Sequence, residues 1–344
     1  MAPRATPLRA PSRAARPPGP VGVTMKVVRG LFSPLPRLRT PVATLGAFDG
    51  VHRGHQRILA ETVSWARSLH GQSLVVTFDP LPKAVVGRAG ALCITSLPHR
   101  LALMERCGLH LAVVVPFDAT VAALPAEEFV GRVLLGWLGA RHLVFGRDST
   151  FGRGGAGNLR LLRRLEDQGV LSVRSPAPVR YRGKVISSTA IRQAIASGDL
   201  RAAAAMLGRP FSLLGTVVPG HRRGRALGFP TANLDLHHEA IPPDGIYATL
   251  ARVGRKAYPA LTYVGRRPTF LRDAAETSIE VHLIGVEADL YGRDIEVQFV
   301  AKLRDDQRFP TAQALVAQME ADRAQALALI ARQRRNEPLA ARRS

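Results

Sequence analysis

From Pro41 to about Ser197, short runs of apolar and β-branched residues alternate with longer stretches in which apolar positions return every three or four residues. The spacing predicts buried strands at Val42–Leu45, Leu74–Phe78, Ala112–Pro116 and His142–Phe145, and helices at His55–Leu69, Leu97–Cys107, Ala126–Leu138 and Leu159–Gln168. Strands that alternate with helices predict a parallel α/β sheet, whose ligands gather beyond the carboxyl ends of the strands. After Gly198 the period changes. One more short helix, Leu200–Leu207, precedes predicted strands at Leu213–Val218, Ile246–Val253, Ala257–Val264, Ser278–Leu283 and Ile295–Phe299, separated by Gly, Pro and Asp turns. These predict a small antiparallel β-barrel, closed off by an Ala-rich helix at about residues 312–332 that packs on it. The boundary between the two falls near residues 200–211.

At 344 residues the chain exceeds what one ordinary core fills, in keeping with two domains. No apolar run approaches the roughly 20 residues needed to span a bilayer, so no membrane contact is expected. The two cysteines, Cys93 and Cys107, have neither metal-ligand nor disulfide-framework spacing, which fits a reducing, cytoplasmic setting. The net charge of +22 brings in nucleic acid as a possible partner. Part of that excess sits in the tails, at Arg4, Arg9, Arg13, Arg16, Arg332, Arg334, Arg335, Arg342 and Arg343. The rest is spread without interleaved aromatics, so a nucleic-acid partner is not expected. A basic nucleic-acid-binding protein on an enzyme scaffold remains the distant alternative.

Two segments carry candidate chemistry. The first, Leu45-Gly46-Ala47-Phe48-Asp49-Gly50-Val51-His52-Arg53-Gly54-His55, stands where a strand turns into a helix. Gly46, Gly50 and Gly54 let backbone approach a ligand, a helix N-terminus offers free N–H groups to phosphate, and Phe48 and Asp49 fall in the same nucleotide-binding turn. His52 and His55, three apart, face one side of the first helical turn and suit charge developing on a nucleotide's α-phosphate and leaving pyrophosphate. Later, Ser188, Thr189 and Arg192 open a helix with two hydroxyls and a guanidinium, a set that suits an oxyanion. The string Gly152-Arg153-Gly154-Gly155-Ala156-Gly157 matches G-x-G-x-x-G but comes too late in the chain for a dinucleotide fingerprint, and is expected to form a flexible loop over the site. No G-x-x-x-x-G-K-[ST] string occurs, which excludes a P-loop kinase at the level of motif.

The second segment runs from Gly215 through Gly220, Gly224, Arg225 and Gly228 to Phe229-Pro230-Thr231-Ala232-Asn233-Leu234. Glycines at 220, 224 and 228 suit a loop whose amides wrap phosphates. In an extended segment Thr231 and Asn233 point the same way, so hydroxyl and amide oxygens converge on a seat for Mg²⁺.

These segments resemble those of the bacterial bifunctional riboflavin kinase/FMN adenylyltransferases. The first is similar to the family's G-x-F-D-G-V-H-x-G-H form of the nucleotidyltransferase His-x-Gly-His signature. Thr77-Phe78-Asp79-Pro80, Gly146-Arg147-Asp148 with Phe151, and Ser187-Ser188-Thr189-Ala190-Ile191-Arg192 resemble its later motifs in order. The second is similar to the riboflavin kinase signature ending in G-F-P-T-A-N-L, followed by matches at Pro243–Ala248, Gly265–Phe270, Asp289–Gly292 and Leu303–Phe309. The resemblance implies a Rossmann-like nucleotidyltransferase domain at 25–200 and a riboflavin kinase barrel at 201–332, flanked by a disordered basic extension at 1–24 and a basic tail at 333–344. It implies ATP phosphates held by Ser188, Thr189 and Arg192, flavin contacts at Asp148 and Phe151, and Glu280 as catalytic base for the ribityl hydroxyl. Riboflavin, FMN and ATP are the implied substrates, FMN and FAD the products, and Mg²⁺ the cofactor. The chain departs from the family at Leu81 and Asp306, where His and Glu are usual. Ser149 stands where an aromatic is usual, and Tyr263 where Asn is. A chain that only phosphorylates riboflavin, with a nucleotide-binding first domain, is the nearer alternative.

Overall fold

The computed structural model describes residues 24–82, 92–220, 228–236, 240–267, 276–286 and 288–336. The N-terminal extension to Val23, Gly224, Arg225, the Pro268–Phe270 part of the barrel loop and the tail from Glu337 lie outside them. The described chain forms two compact units. The first runs to Ile191 and takes in Met206–Gly208, and the second comprises Arg192–Ala205 and the chain from Arg209 onward.

The first unit contains β1 (Lys26–Arg29), β2 (Val42–Leu45), α1 (Arg53–Ser68), β3 (Ser73–Phe78), α2 (Leu97–Arg106), β4 (Leu111–Val115), β5 (His142–Val144), α3 (Leu159–Asp167) and β6 (Ser172–Arg174). Its six strands are all parallel, in the order β1-β4-β3-β2-β5-β6. Every residue of β2, β3 and β4 is buried, which is why these strands read as unbroken apolar runs. Alternation divides them between two layers. Leu74, Val76 and Phe78 pack with Phe129, Val133 and Leu134 on one face, whereas Val75 and Ala112 meet Leu59 of α1 and Leu103 and Met104 of α2 on the other. Each of these Leu, Val, Phe and Met side chains, fully buried, contributes about 1.5–3 kcal/mol relative to exposure.

Two edge strands, β1 and β6, were not predicted. Both are short and only partly buried, so they lack the apolar run that marks the central strands. The predicted helix at Ala126–Leu138 begins as a short α-helical turn, Ala126–Glu128, and then widens into a π-helix, Phe129–Trp137. Gly131 and Gly136 lie inside it, and a Cβ on Gly136 would come within 3.1 Å of the Gly131 carbonyl. The predicted flexible loop at Gly152–Gly157 is instead a closed turn. Phe151 and Gly157 exchange both backbone hydrogen bonds at 2.9 Å, and Arg153 N–H donates to Leu124 O.

A two-strand hairpin, β7 (Arg180–Tyr181) and β8 (Lys184–Val185), precedes α4 (Ser188–Ala196) and α5 (Leu200–Leu207). The second unit then closes a barrel from β9 (Ser212–Val218), β10 (Ala232–Leu236), β11 (Gly245–Val253), β12 (Lys256–Arg267), β13 (Glu276–Leu283) and β14 (Asp294–Arg304), in the order β10-β13-β12-β11-β14-β9. Strand β10 was not among the predicted strands. It pairs with both β9 and β13, so the Thr-Ala-Asn segment itself closes the barrel. Tyr247, Phe299 and Phe211 stack inside, and Thr249 and Thr262 satisfy each other's hydroxyls at 2.8 Å. Helix α6 (Ala312–Asn336) covers the outer face, with Ala326 and Ile330 against Ala248, Leu250 and Leu261. Arg304 of β14 grips the buried Asp322 of α6 through Nε, at 3.0 and 3.2 Å, and through a terminal nitrogen at 2.9 Å.

Candidate active sites

In the first unit the strand order runs one way from β2 through β3, β4 and β1, and the other way through β5 and β6. The carboxyl ends of β2 and β5 therefore flank the switch point where open α/β sheets bind ligands. The glycine-rich turn leaves β2 at this point. Phe48, Gly50 and Val51 take positive φ values of 50°, 81° and 38°. For a β-branched residue such as Val51 this conformation is strained, and it is held by its surroundings. Asp49 supplies much of that hold. Its buried carboxylate accepts the N–H groups of Ile94 and Thr95 at 2.9 and 3.2 Å, and Gly50 N–H donates to Thr95 Oγ1 at 2.9 Å.

The turn delivers His52 to the N-cap of α1, where its Nδ1 accepts the His55 N–H at 3.3 Å. In a neutral imidazole that assignment leaves the hydrogen on Nε2 of His52. The two rings stack with centroids 3.5 Å apart and 19° between planes, and Phe48 stands edge-on to His55. Burial, then the neighbouring His52 and Arg100, push the His55 pKa well below 6.5. Ser188, the first residue of α4, donates its hydroxyl to the Asp49 carbonyl at 3.0 Å and so ties that helix N-terminus to the turn. Ser187 caps the helix by accepting the Ala190 N–H at 3.2 Å. Thr189 is exposed beside Ser188, and Arg192 follows one turn later on the same helix.

The remaining expected residues fall differently. Asp148 is exposed on the loop after β5, while Phe151 packs into the core against Phe129 and Phe145 with centroid separations of 5.6 Å. Phe48 and Asp49 are both buried and turn inward. Arg100, which sequence reasoning passed over as part of a helix, is 1% exposed and lies under the turn. The available signal was its position: Leu97, Arg100, Leu103 and Met104 share the apolar face of α2, where a charged residue is out of place.

In the second unit three expected residues converge on one outward-facing patch of the barrel. Asn233 of β10 lies opposite Glu280 of β13, and Thr231 donates its hydroxyl to Glu280 Oε2 at 3.1 Å. Ser278 lies 3.5 Å from the other carboxylate oxygen. A Cβ on Gly220 would sit 2.1 Å from the Asn233 amide nitrogen, so only glycine leaves that amide its place. Gly228 is needed for another reason: its φ is +80° with open space around it. His282 holds the Pro230 carbonyl at 2.9 Å and fixes the approach to Thr231. On the other flank of Glu280, Tyr263 of β12 donates to Asp306 Oδ2 at 3.1 Å. Its pKa rises to about 12, through burial first and then the charges of Asp306, Asp244 and Glu280.

A strained His-x-Gly-His turn at the switch point of a parallel sheet, in one chain with a barrel that gathers a hydroxyl, an amide and a carboxylate, defines a two-unit nucleotide-dependent transferase. The FAD synthetase family model matches residues 36–190 and the riboflavin kinase family model residues 207–330. A bifunctional riboflavin kinase/FMN adenylyltransferase from Pseudomonas fluorescens is 37% identical over 307 residues, covering 89% of this chain and 98% of its own length. Its counterpart from Escherichia coli strain K12 is 36% identical over 302 residues, 87% of this chain and 96% of its own. The crystal structure of a Streptococcus pneumoniae protein described as a macrolide-efflux protein superposes with a TM-score of 0.76 at 31% identity, over 87% of this chain and 97% of that one. Among the described residues no helix is long and apolar enough to cross a membrane. The chain belongs to the bifunctional riboflavin kinase/FMN adenylyltransferase family.

Proposed function

We propose that residues 201–332 phosphorylate riboflavin to FMN with one ATP, and that residues 25–200 transfer AMP from a second ATP to FMN, releasing pyrophosphate and giving FAD. The observation that carries this reading is the convergence of Thr231, Asn233 and Glu280 on one patch, in a chain that also bears the stacked His52–His55 pair.

In the kinase step the ribityl terminal hydroxyl attacks the γ-phosphorus of ATP. An O–P bond forms, the bond to ADP breaks, and Glu280 accepts the hydroxyl proton. Thr231 holds the Glu280 carboxylate in one orientation, and Gly220 and Gly228, with Gly224 and Arg225 of the same loop, receive the nucleotide phosphates. The oxygens of Thr231 and Asn233 are the hard donors that Mg²⁺ prefers, and they fit a metal shared with phosphates. A Mg²⁺ held by these two residues would supply positive charge to the transferring phosphates. In the adenylyl step a phosphate oxygen of FMN attacks the α-phosphorus and pyrophosphate leaves. The His52 Nε2–H, the His55 ring and the N-terminal end of α1 face the oxygens on which charge builds. Gly46, Gly50 and Gly54 give the backbone its approach, with Phe48 and Asp49 holding the turn from beneath. Ser188, Thr189 and Arg192 receive the leaving phosphates, Asp148 meets the flavin side, and Phe151 backs that wall from the core. Neither step needs a covalent enzyme intermediate, so positioning and charge stabilisation supply the rate. Two cysteines, Cys93 and Cys107, without disulfide-framework spacing suit the reducing, cytoplasmic setting in which we place these reactions.

The test is to incubate the purified chain with riboflavin, ATP and Mg²⁺ and separate the flavins over time. FMN followed by FAD is expected. FMN alone would reduce the first unit to a binding role, in which Leu81→His restores little, and no flavin product would overturn the assignment.

A further inference from the structure

Among the described residues Arg100 is the largest side chain with essentially no solvent exposure, and the steps above give it no task. One terminal nitrogen donates to the Ala47 carbonyl at 3.1 Å, and the other donates to the Phe78 carbonyl at 2.8 Å. Ala47 begins the strained turn after β2, and Phe78 ends β3. The planar guanidinium therefore pins together the carboxyl ends of two neighbouring strands at the switch point. Thr77 adds a weaker link of the same kind, its hydroxyl reaching Ala47 O at 3.3 Å. Burial weighs against the charge of Arg100 more than the neighbouring carboxylates of Asp49 and Asp79 favour it. Asp79 stands 3.9 Å away and is itself 47% exposed, and Arg100 Nε has no hydrogen-bond partner among the described residues. A buried cation costs desolvation that an apolar residue on the same face would not, so its presence here asks for a role.

We propose that Arg100 is a positioning residue for adenylyl transfer, which locks the Ala47 and Phe78 strand ends in register and holds a permanent positive charge beneath the His52–His55 pair. The inference rests on the assignment of that pair to the adenylyl step. Burial first, then His52 and Arg100, disfavours a proton on His55, in keeping with the electrostatic half. The charges facing Arg100 in turn are Asp49 and Asp79, with Cys93 the remaining titratable neighbour. A neutral His55 beside a buried cation presents the α-phosphate and pyrophosphate with a fixed field and needs no proton exchange with solvent during turnover.

The test uses the full chain with Arg100→Met and Arg100→Lys. In each, FMN adenylylation is followed as kcat and KM, riboflavin phosphorylation by the same molecules serves as reference, and His55 is titrated by NMR. Arg100→Met is expected to lower the kcat of adenylylation on the order of 10²-fold, with a smaller change in KM and no change in the kinase. It should also raise the pH at which His55 titrates. Arg100→Lys should restore the His55 titration but only part of the rate, because one ammonium cannot span both carbonyls in plane. A folded Arg100→Met chain with unchanged kcat and unchanged His55 titration would overturn the proposal. If Arg100→Met does not fold, an Arg100→Lys chain with wild-type kcat does the same. Should the wild-type chain make no FAD, the adenylyl assignment fails by itself, while the His55 titration in Arg100→Met still reports whether the charge acts on that ring.

Discussion

Asn233 and Glu280 lie directly opposite each other in the β10–β13 ladder, and Thr231 binds the same carboxylate from the strand's approach. The pairing register of a barrel thus brings together groups almost fifty residues apart. Glu280→Gln keeps the shape and the Thr231 contact but removes the proton acceptor. Riboflavin phosphorylation should fall about 10²–10⁴-fold, while adenylylation of supplied FMN continues, as measured by flavin chromatography with each substrate in turn.

Gly220→Ala tests the close approach behind Asn233. The new methyl would overlap the amide and force the Asn233 side chain out of the place it holds across from Glu280. Kinase activity should drop at least about tenfold, seen chiefly in kcat, whereas Gly254→Ala, at a turn with open space but a φ of +60°, should cost some stability and leave activity unchanged.

His55 makes the first unit sensitive to acid. Its folded pKa lies below 6.5, so above that value both folded and unfolded chains hold it neutral, and as pH falls from 6.5 toward the folded value the unfolded chain takes up the proton first. Stability is therefore present above 6.5 and lost below it. His110 and His142, also lowered, act in the same direction. Urea unfolding at a series of pH values should show this loss, and His55→Asn should flatten part of it.

Tyr263 gives the barrel the opposite limb. Its phenol ionises at about 12 rather than 10.0, so stability is full below 10 and is lost as pH rises toward 12. Phenolate absorbance should show this residue titrating late, and Asp306→Asn should bring it back toward 10 by removing the largest neighbouring charge.

Asp322→Ala strips Arg304 of its buried partner. Breaking such a pair leaves an uncompensated charge, so the second unit should lose roughly 3–5 kcal/mol in denaturant unfolding, and helix α6 should loosen first by hydrogen exchange.

Much of this protein could be read from residue order alone. The apolar runs of β2, β3 and β4 and the helical spacing of α1 and α3 needed no partner, because burial on both faces or along one stripe is written into the side chains themselves. The glycine, histidine and Pro-Thr-Ala-Asn strings likewise announced their chemistry, since the backbone shapes they need admit few residue types. Strands β1, β6 and β10 stayed hidden because edge and closing strands take their stability from neighbours rather than from their own apolarity. The inward turn of Asp49, the commitment of Phe151 to the core and the place of Arg100 against the Ala47 and Phe78 carbonyls were decided only by tertiary packing. A charged or aromatic side chain looks the same in sequence whether it meets ligand, water or a backbone carbonyl, and only the surrounding chain settles which of these it finds.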